Sequence, residues 1–268
     1  MKKTKIDWAD STWNPVTGCK HGCEYCYAER IAARFSGHSI THSTYKARLD
    51  ANRNPHIYEF DTPAKRIDKD GKLVSAPYPF WFTPTLHRYK MDEPKRWTKP
   101  RTIFVCSMAD LFGRWVPDDW IEEVFKACED APRHTYLFLT KNPGRYVELA
   151  NAGKLPTKAN FWYGSSTPTT EAEFFYHGEL NTFVSIEPIL EPFTDLLDDG
   201  IDAVRRVGWV IVGAETGNRA GKVIPEKSWI MELKNAADEC GVPIFMKESL
   251  REIMGNDFKQ ESPWEVFL

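Results

Sequence analysis

The strongest constraint on the fold is a series of short apolar runs that alternate with helical patterns after Pro100. The runs predict strands over Thr102–Met108, Thr135–Leu139, Phe161–Ser165, Thr182–Ile186, Gly208–Val212 and Val242–Met246. Helices are predicted over Pro117–Glu129, Pro143–Ala150 and Lys227–Cys240. Strands that are apolar along their whole length are typical of a parallel sheet covered on both faces. Their alternation with helices predicts right-handed βαβ units.

With one more strand near Thr12–Val16, these runs predict an α/β fold, a partial (β/α)6-type TIM-like barrel with parallel strands. A helix over Tyr25–Phe35 is followed by residues 36–98, which show no clear periodicity and are rich in His, Pro, Lys and aromatic residues. Because a structureless loop of that length is improbable inside a compact domain, we interpret 36–98 as an insertion after the first helix with short elements of its own. We expect residues 1–268 to form a single domain.

Charge and hydropathy exclude several classes of protein. The chain has 268 residues with 35 Lys+Arg against 38 Asp+Glu, so its net charge of −3 gives no global attraction to nucleic acid or anionic lipid. Any nucleic-acid binding therefore needs a local basic patch. No run approaches the ~20 apolar residues of a transmembrane helix, and the N-terminus lacks an apolar signal segment. We therefore expect no membrane partner and a cytoplasmic location.

Polar or ionisable residues follow nearly every apolar run. They are Ser107, Asp110, Thr140, Lys141, Ser165, Ser166, Ser185, Glu187, Glu215, Lys247 and Glu248. Solvated loops alone would explain each residue taken singly. In barrels, however, the carboxyl ends of the strands carry the active site. Repetition of this pattern over six strands favours a polar pocket at the carboxyl ends of the strands of a packed barrel.

Three of the six cysteines, Cys19, Cys23 and Cys26, form a C-x3-C-x2-C motif in a loop expected just after the first strand. In a reducing cytoplasm, such a tight cluster indicates metal or redox chemistry rather than crosslinks. Three thiolates can hold three corners of a cubane iron–sulfur cluster. The fourth iron then keeps an open site, as a catalytic metal centre needs. Gly18 and Gly22 permit the backbone conformations of a tight loop.

Two alternatives to an iron–sulfur enzyme stay open. One is a non-catalytic nucleic-acid-binding module bearing zinc or a cluster, in which His21 or His38 would complete a zinc site. Zinc prefers a closed set of four ligands, but no second pair follows downstream, and His21 sits awkwardly between the first two cysteines. The other is an α/β hydrolase or transferase that uses no metal-based radical chemistry and in which the cysteines are structural. Against it, the sequence has no G-x-S-x-G elbow, P-loop or G-x-G-x-x-G.

The C-x3-C-x2-C motif, with the aromatic Tyr25 just before its third cysteine, resembles the radical S-adenosylmethionine superfamily. More narrowly, the chain resembles a phage-associated subfamily that is defined by three cysteines and has no settled activity. This second resemblance runs from Trp8 to about Ser249, through the segments TWNPVTGC, EYCYAERIA, CSMADLFG, FLTKNP, SIEP and VGAETG.

The resemblance implies an enzyme in which Cys19, Cys23 and Cys26 hold a [4Fe–4S] cluster and the open iron chelates S-adenosylmethionine. Reduction by an external electron donor of the flavodoxin or ferredoxin type would release a 5′-deoxyadenosyl radical, which abstracts hydrogen from a substrate. On this basis Tyr25 would pack the adenine of the cofactor or shield the cluster.

Other superfamily motifs match this sequence less well. Ser107 and Asp110 stand where members often have Gly-Gly-Glu, which contacts the methionyl amine. Val212–Glu215 approximates a late glycine-rich pattern but is one residue shorter, which leaves the role of Glu215 open. We expect four strand-end residues around the ribose and carboxylate of the cofactor, with internal ion pairs as the alternative: Lys141, Ser165, Ser185 and Glu187.

Two further features bear on the substrate. The basic, aromatic stretch His87–Lys90, Lys95–Trp97, Lys99 and Arg101 is typical of a surface for a nucleic-acid base or nucleotide, and equally of a solvated basic face. Cys106, at a strand end, could donate a hydrogen atom to a substrate radical, although a free cysteine in an apolar strand is more often a core residue. Cys128 and Cys240 are assigned to packing.

Overall fold

The structure is a computed structural model that describes residues 4, 6–36, 40, 43–50, 53, 56–193 and 199–264. The chain divides into two compact units. We call Ser11–Tyr136 the N-terminal unit, and Met1–Asp10 with Leu137–Leu268 the C-terminal unit.

The N-terminal unit contains eight described strands, short helices and one longer helix. The strands are β1 (Ser11–Trp13), β2 (Val16–Thr17), β3 (Lys46–Arg48), β4 (Ile57–Phe60), β5 (Lys65–Ile67), β6 (Leu73–Ser75), β7 (Thr85–His87) and β8 (Thr102–Val105). The helices are α1 (Tyr27–Phe35), α2 (Glu93–Arg96) and α3 (Asp118–Glu129). Strand β1 pairs in parallel with β8, and the two strands are joined through all the intervening elements.

The 36–98 segment has short elements of its own, as the sequence predicts. Its strands join β2 in a four-stranded sheet of order β2-β7-β4-β3, and β5 and β6 form a separate hairpin. The start of the cysteine loop differs from the prediction. The loop does not follow the first strand directly, because β1 ends at Trp13 and the loop leaves from β2, which pairs antiparallel with β7.

The C-terminal unit has the regular strand–helix alternation predicted from the sequence. Strand β9 (Thr135–Thr140) begins in the N-terminal unit, and the later strands are β10 (Phe161–Ser166), β11 (Asn181–Ile186), β12 (Val210–Val212) and β13 (Ile244–Met246). The helices are α4 (Gly144–Asn151), α5 (Asp199–Arg206), α6 (Lys227–Cys240) and α7 (Arg251–Met254). Strands β10 to β13 pair in succession, all parallel.

The principal sheet has the strand order β1-β8-β9-β10-β11-β12-β13. Its strands are neighbours in chain order once β2 and the strands of the 36–98 segment are set aside, which is the order of singly wound α/β folds. This confirms the predicted α/β class with parallel strands. None of the described helices is both long and apolar enough to cross a bilayer.

The core of the C-terminal unit fixes the strand ends that carry polar side chains. Every residue of β12 and β13 is buried, and Ile230 and Leu233 of α6 pack on them. Because a buried aliphatic side chain contributes about 1.5–3 kcal/mol relative to an exposed one, this packing holds the residues that follow each strand in place.

Glu59 on β4 gives the N-terminal unit a pH-dependent stability. Burial alone would raise its pKa, but hydrogen bonds from Trp120 (2.9 Å), Arg48 (3.1 Å) and Arg88 (3.2 Å) outweigh burial and lower the pKa below the ordinary 4.5. A carboxylate with a depressed folded-state pKa contributes stability above the ordinary value, which is lost as the pH falls through the folded value.

We therefore expect the free energy of unfolding to fall as the pH drops below about 4.5, and to fall less steeply in Glu59→Gln. Urea titrations of both proteins between pH 7 and pH 3 measure the difference. Parallel pH profiles for the two proteins would show that Glu59 does not carry this dependence.

Candidate metal centre

The three cysteines of the motif lie in the loop between β2 and α1. The Cys19 N–H donates to the Phe82 carbonyl (3.0 Å), and the Cys26 N–H donates to the Cys23 carbonyl (3.0 Å). Cys26 caps the helix, since its Sγ accepts from the Glu29 N–H at 3.4 Å. All three thiols are partly buried and none forms a disulfide. The loop therefore presents three thiol groups that no crosslink consumes.

Gly18 sets the close approach of this loop to the 36–98 segment. Its φ of +89° lies in the left-handed region, and a Cβ built on it would lie 2.4 Å from the carbonyl carbon and oxygen of Thr83. Only glycine fits both conditions without strain. The backbone conformation expected of Gly18 from the motif is confirmed, and so is the positive φ of Gly22.

Two of the thiols share one apolar environment. Cys19 and Cys26 pack against a small cluster made of Ala28 and Ala32 on α1, Phe82 and Met108, which Tyr78 also touches. Because the two alanines are small, the first turns of α1 lie close to Phe82 and Met108. Cys19 and Cys26 are therefore held by the same group of side chains although seven positions separate them in the sequence.

The Cys19 thiol lies in a buried position next to several groups that can carry negative charge. Burial, together with the negative charges of Asp110, Cys23 and Cys26, raises the pKa of the Cys19 thiol well above its ordinary value. Neighbouring thiolates repel one another, and a positive metal ion is the usual compensation, because metals bind the deprotonated thiolate. Without a metal, the Cys19 thiol stays protonated at neutral pH.

The loop after β8 lies along the cysteine loop. The Gly18 N–H donates to the Met108 carbonyl (2.8 Å), and the Asn14 side-chain oxygen accepts from the Met108 N–H (2.9 Å) and the Ser107 hydroxyl (3.2 Å). The Tyr27 hydroxyl donates to the Ser107 carbonyl at 2.7 Å. The predicted cofactor residue Ser107 is thus held beside the cysteine loop by Asn14 and Tyr27.

Asp110, the other residue predicted at this position, bonds to the cysteine loop itself. Its Oδ2 lies 2.7 Å from His21 Nε2, and its Oδ1 accepts from the Phe112 N–H at 3.0 Å. Asp110 is buried, and the His21 ring meets the Trp115 ring edge to face with centroids 4.9 Å apart. The Asp110 carboxylate therefore anchors the loop, and a contact with a methionyl amine would have to share it with His21.

The zinc alternative needs a fourth donor, and the described residues do not place one. His21 directs Nε2 to Asp110, and His38 lies outside the described residues. Within the part of the chain that the structure describes, no group of three or more His, Cys, Asp or Glu side chains converges to hold a single metal ion.

The His21–Asp110 pair gives a stability prediction. Asp110→Ala removes a buried carboxylate with two hydrogen-bond partners, so we expect the free energy of unfolding to fall by about 2 kcal/mol. Asp110→Asn keeps acceptor and donor groups there and should cost about 1 kcal/mol. Urea unfolding of the metal-free protein measures both, with the exposed turn residue Asp70→Ala as control. Equal losses for Asp110→Ala and Asp70→Ala would contradict this role.

Cys106, the candidate hydrogen-atom donor, is a buried residue directly after β8. Its φ is +59°, its N–H donates to the Trp13 carbonyl (2.8 Å), and its carbonyl accepts from the Ala109 N–H (3.0 Å). Burial raises the pKa of its thiol to about 12. These features make Cys106 the point at which the chain turns out of β8, and the buried thiol packs as a core side chain does.

Tyr25, predicted to shield the cluster or pack the adenine, precedes α1 and is partly exposed. Its carbonyl accepts from the Arg30 guanidinium at 3.4 Å. The side chain is in the cysteine loop as the motif requires, two positions after Cys23.

In the C-terminal unit, residues at the carboxyl ends of β9 and β10 form a small polar group. Lys141 Nζ donates to the Ser166 hydroxyl at 2.9 Å. The Ser165 hydroxyl is fully buried and accepts from the Phe175 N–H at 2.9 Å, so it is engaged within the unit. Ser185 on β11 is also buried. Of the predicted cofactor residues in this group, Lys141 is the partly exposed one.

Glu187, after β11, forms an ion pair with Lys247, after β13. The Lys247 Nζ lies 2.5 Å from Glu187 Oε1 and 4.0 Å from Asp7 Oδ1. Gly213, after β12, leaves the space for this pair, since a Cβ there would lie 2.9 Å from Lys247 Cδ. The internal ion pair that the sequence leaves as an alternative for Glu187 is present. The sequence marks Lys247 as a strand-end residue but does not identify its partners.

Glu215 is held in a second ion pair. Both of its carboxylate oxygens accept from the Arg219 guanidinium at 2.7 Å, and its side chain is almost completely buried. The preceding Ala214 N–H donates to the Ser249 hydroxyl at 3.1 Å. This charge-assisted, two-bond pairing fixes the turn after β12.

The basic stretch of the N-terminal unit is largely internal. The Arg88 guanidinium donates to Glu59, Asp61 and Glu123, and His87 is buried. Burial lowers the pKa of Lys90, whose Nζ reaches the Asn14 carbonyl. Exposed positive charge in this stretch is confined to its second part, at Lys95, Arg96 and Lys99.

Comparison with known proteins identifies the family of the chain. No curated protein and no solved structure matches it. A family profile matches residues 3–256, which include the cysteine loop, the 36–98 segment and every strand of the principal sheet. The chain therefore belongs to the family described as protein of unknown function (DUF5131).

Proposed function

We propose that this protein is a radical S-adenosylmethionine enzyme on a partial (β/α)6-type barrel, with a [4Fe–4S] cluster held by Cys19, Cys23 and Cys26. The observation that carries the proposal is the cysteine loop, which presents three thiols that form no disulfide, two of them, Cys19 and Cys26, packed against the same apolar cluster. Three thiols account for three corners of a cubane cluster and leave one iron open for a ligand.

The donor set suits a cluster better than a single ion. A zinc ion needs four donors around one point, whereas each thiolate of a cubane binds a different iron, so the thiols spread around the cluster. The imidazole of His21, the candidate fourth zinc ligand in the loop, is committed to Asp110. This observation favours the cluster over a zinc-bearing, nucleic-acid-binding module.

When bound, the cluster would supply the electron for reductive cleavage of S-adenosylmethionine to methionine and a 5′-deoxyadenosyl radical. The residues of the chain have three separate tasks. The three cysteines bind metal, His21 and Asp110 fix the loop that carries them, and Asn14 and Tyr27 orient the Ser107 segment beside it.

The cofactor contacts predicted for strand-end residues of the C-terminal unit stay predictions. Lys141 bonds to the Ser166 hydroxyl, and Glu187 is paired with Lys247. Ser165 and Ser185 are buried, whereas Lys141 is partly exposed and can offer its ammonium group to a carboxylate.

The substrate class to test first is a nucleic-acid base or nucleotide. The exposed Lys95, Arg96 and Lys99 are the only part of the predicted basic stretch, among the described residues, that remains suited to phosphate groups. Arg88 does not contribute, because three carboxylates surround it.

The decisive experiment is anaerobic reconstitution with iron and sulfide, followed by dithionite reduction in the presence of S-adenosylmethionine. We expect brown protein with about four iron and four sulfide per chain, and 5′-deoxyadenosine in the product mixture. Colourless protein that retains zinc under the same conditions would refute the proposal.

A further inference from the structure

The first helix has an unusual distribution of large and small side chains. Helix α1 buries only Ala28 and Ala32, whereas Tyr27, Ile31 and Phe35 are 45%, 36% and 48% exposed. These three residues are spaced by four positions, so they form one continuous apolar stripe along the helix. A helix normally buries its largest apolar side chains, and such an exposed stripe indicates an interaction surface.

Positive charge borders the apolar stripe on one side. At about 100° per residue, Arg30 and Arg34 project within about 60° of Tyr27, whereas Glu29 projects from the opposite side of the helix. Both arginines are exposed. We call Tyr27, Ile31, Phe35, Arg30 and Arg34 together the α1 face. Aromatic and arginine side chains are the residue types most enriched at the energetic centres of protein interfaces.

The α1 face is continuous with the proposed metal centre. Helix α1 begins at the residue after Cys26, and Cys26 caps it. The buried side of the same helix, Ala28 and Ala32, packs on the cluster that holds Cys19 and Cys26. A partner bound on this face would therefore lie one helix width from the thiols, with no other described element of the N-terminal unit between Cys26 and the start of the face.

We propose that the α1 face is the docking surface for a small acidic electron-carrier protein of the flavodoxin or ferredoxin type. This inference rests on the proposed function, because a cluster that cleaves a sulfonium reductively must receive single electrons from outside. The chain as a whole carries a charge of −3, so an acidic partner needs a local positive surface to be oriented correctly. Interfaces of electron-transfer proteins are small and weak, which a five-residue face can satisfy.

A nucleic acid fits this surface less well. The face offers two exposed cations for phosphate groups, and its central residue, Ile31, is aliphatic. Of its two aromatic rings, that of Tyr27 is held through its hydroxyl by the Ser107 carbonyl. Surfaces for single-stranded nucleic acid instead combine a positively charged groove with successive stacking rings. The apolar centre with a basic border is instead the composition of a protein–protein contact.

The test uses the triple variant Ile31→Gln/Arg34→Glu/Phe35→Gln in the reconstituted protein of 268 residues. Its matched control is Ile67→Gln/Leu73→Gln, which removes two apolar side chains that are 45% exposed and pair with each other on β5 and β6. Thermal unfolding confirms that both variants fold as the original protein does. Stopped-flow absorbance then measures the rate of cluster reduction by reduced flavodoxin and, separately, by dithionite, which needs no docking surface.

We expect the triple variant to be reduced by flavodoxin at least tenfold more slowly, with the dithionite rate and the control variant unchanged. Titration calorimetry with the cluster-free proteins should show the same loss of flavodoxin binding. Equal flavodoxin rates in the triple and control variants would overturn the docking proposal while leaving the proposed function intact. A loss of dimer, or a loss of oligonucleotide binding, with unchanged flavodoxin reduction would also overturn it. If dithionite reduces no cluster in the unmodified protein, the proposed function itself fails.

Discussion

Replacing Cys23 by alanine should abolish both cluster binding and the cleavage of S-adenosylmethionine. Two thiols cannot hold three corners of a cubane, and the histidine of the loop, His21, is bonded to Asp110. We expect iron and sulfide content to fall to background and 5′-deoxyadenosine formation to fall by roughly a hundredfold or more. Cys19→Ala and Cys26→Ala should behave in the same way.

The matched control for these variants is Cys240→Ala. Cys240 is an exposed thiol at the end of α6, outside the motif. We expect this variant to keep its full iron content and its 5′-deoxyadenosine yield. If Cys23→Ala still produced 5′-deoxyadenosine at the rate of Cys240→Ala, the assignment of the metal ligands would be wrong.

Replacing Gly18 by alanine should produce the largest loss of stability among the loop variants. Two costs add at this position, the left-handed backbone for a residue with a Cβ and the 2.4 Å contact of that Cβ with the Thr83 carbonyl group. The contact is with backbone, so it cannot be relieved by a side-chain rotation. We expect the free energy of unfolding of the metal-free protein to fall by about 3 kcal/mol or more.

Gly22→Ala separates the two costs. Gly22 has a φ of +69°, but nothing lies within 4 Å of the position that a Cβ would occupy there. This substitution should therefore cost only the backbone strain, about 1 kcal/mol. Urea unfolding of both variants, with iron content after reconstitution as a second readout, measures the difference. Equal losses in the two variants would mean that the close approach of Gly18 to Thr83 does not matter for stability.

The sequence predicts the regular parts of the fold well, because their pattern is local. Helix α6 spans Lys227–Cys240 as predicted, and each predicted strand after Pro100 is present. The observed ends of the strands differ from the predicted ends where the backbone conformation of a single residue ends the strand. Strand β8 ends at Val105 rather than Met108, because Cys106 adopts a positive φ that leaves the extended region.

The second sheet could not be predicted in the same way. Strand β2 has two residues, and its partner β7 lies about 70 positions away, so neither periodicity nor length identifies it. Helix α1 begins at Tyr27 rather than Tyr25, because the Cys26 side chain caps it.

The chemistry of the cysteine loop follows from residue types and spacing, but its surroundings do not. The bond between His21 and Asp110 joins positions 89 apart, and Asn14 contacts Ser107 across 93 positions. Asn14 lies in the TWNPVTGC segment, which resembles the phage-associated subfamily. That resemblance is the sequence signal that could have identified Asn14 as a residue of the site. Long-range partners of this kind depend on the strand pairing of β1 with β8, which only the fold defines.

The most direct test of the central claim is the electron paramagnetic resonance spectrum of the reduced, reconstituted protein, with and without S-adenosylmethionine. The claim that three thiols leave one iron open predicts a spectrum of a reduced [4Fe–4S] cluster that changes when S-adenosylmethionine is added. A cluster spectrum that stays the same in its presence, or a protein that takes up zinc and gives no signal, would contradict it.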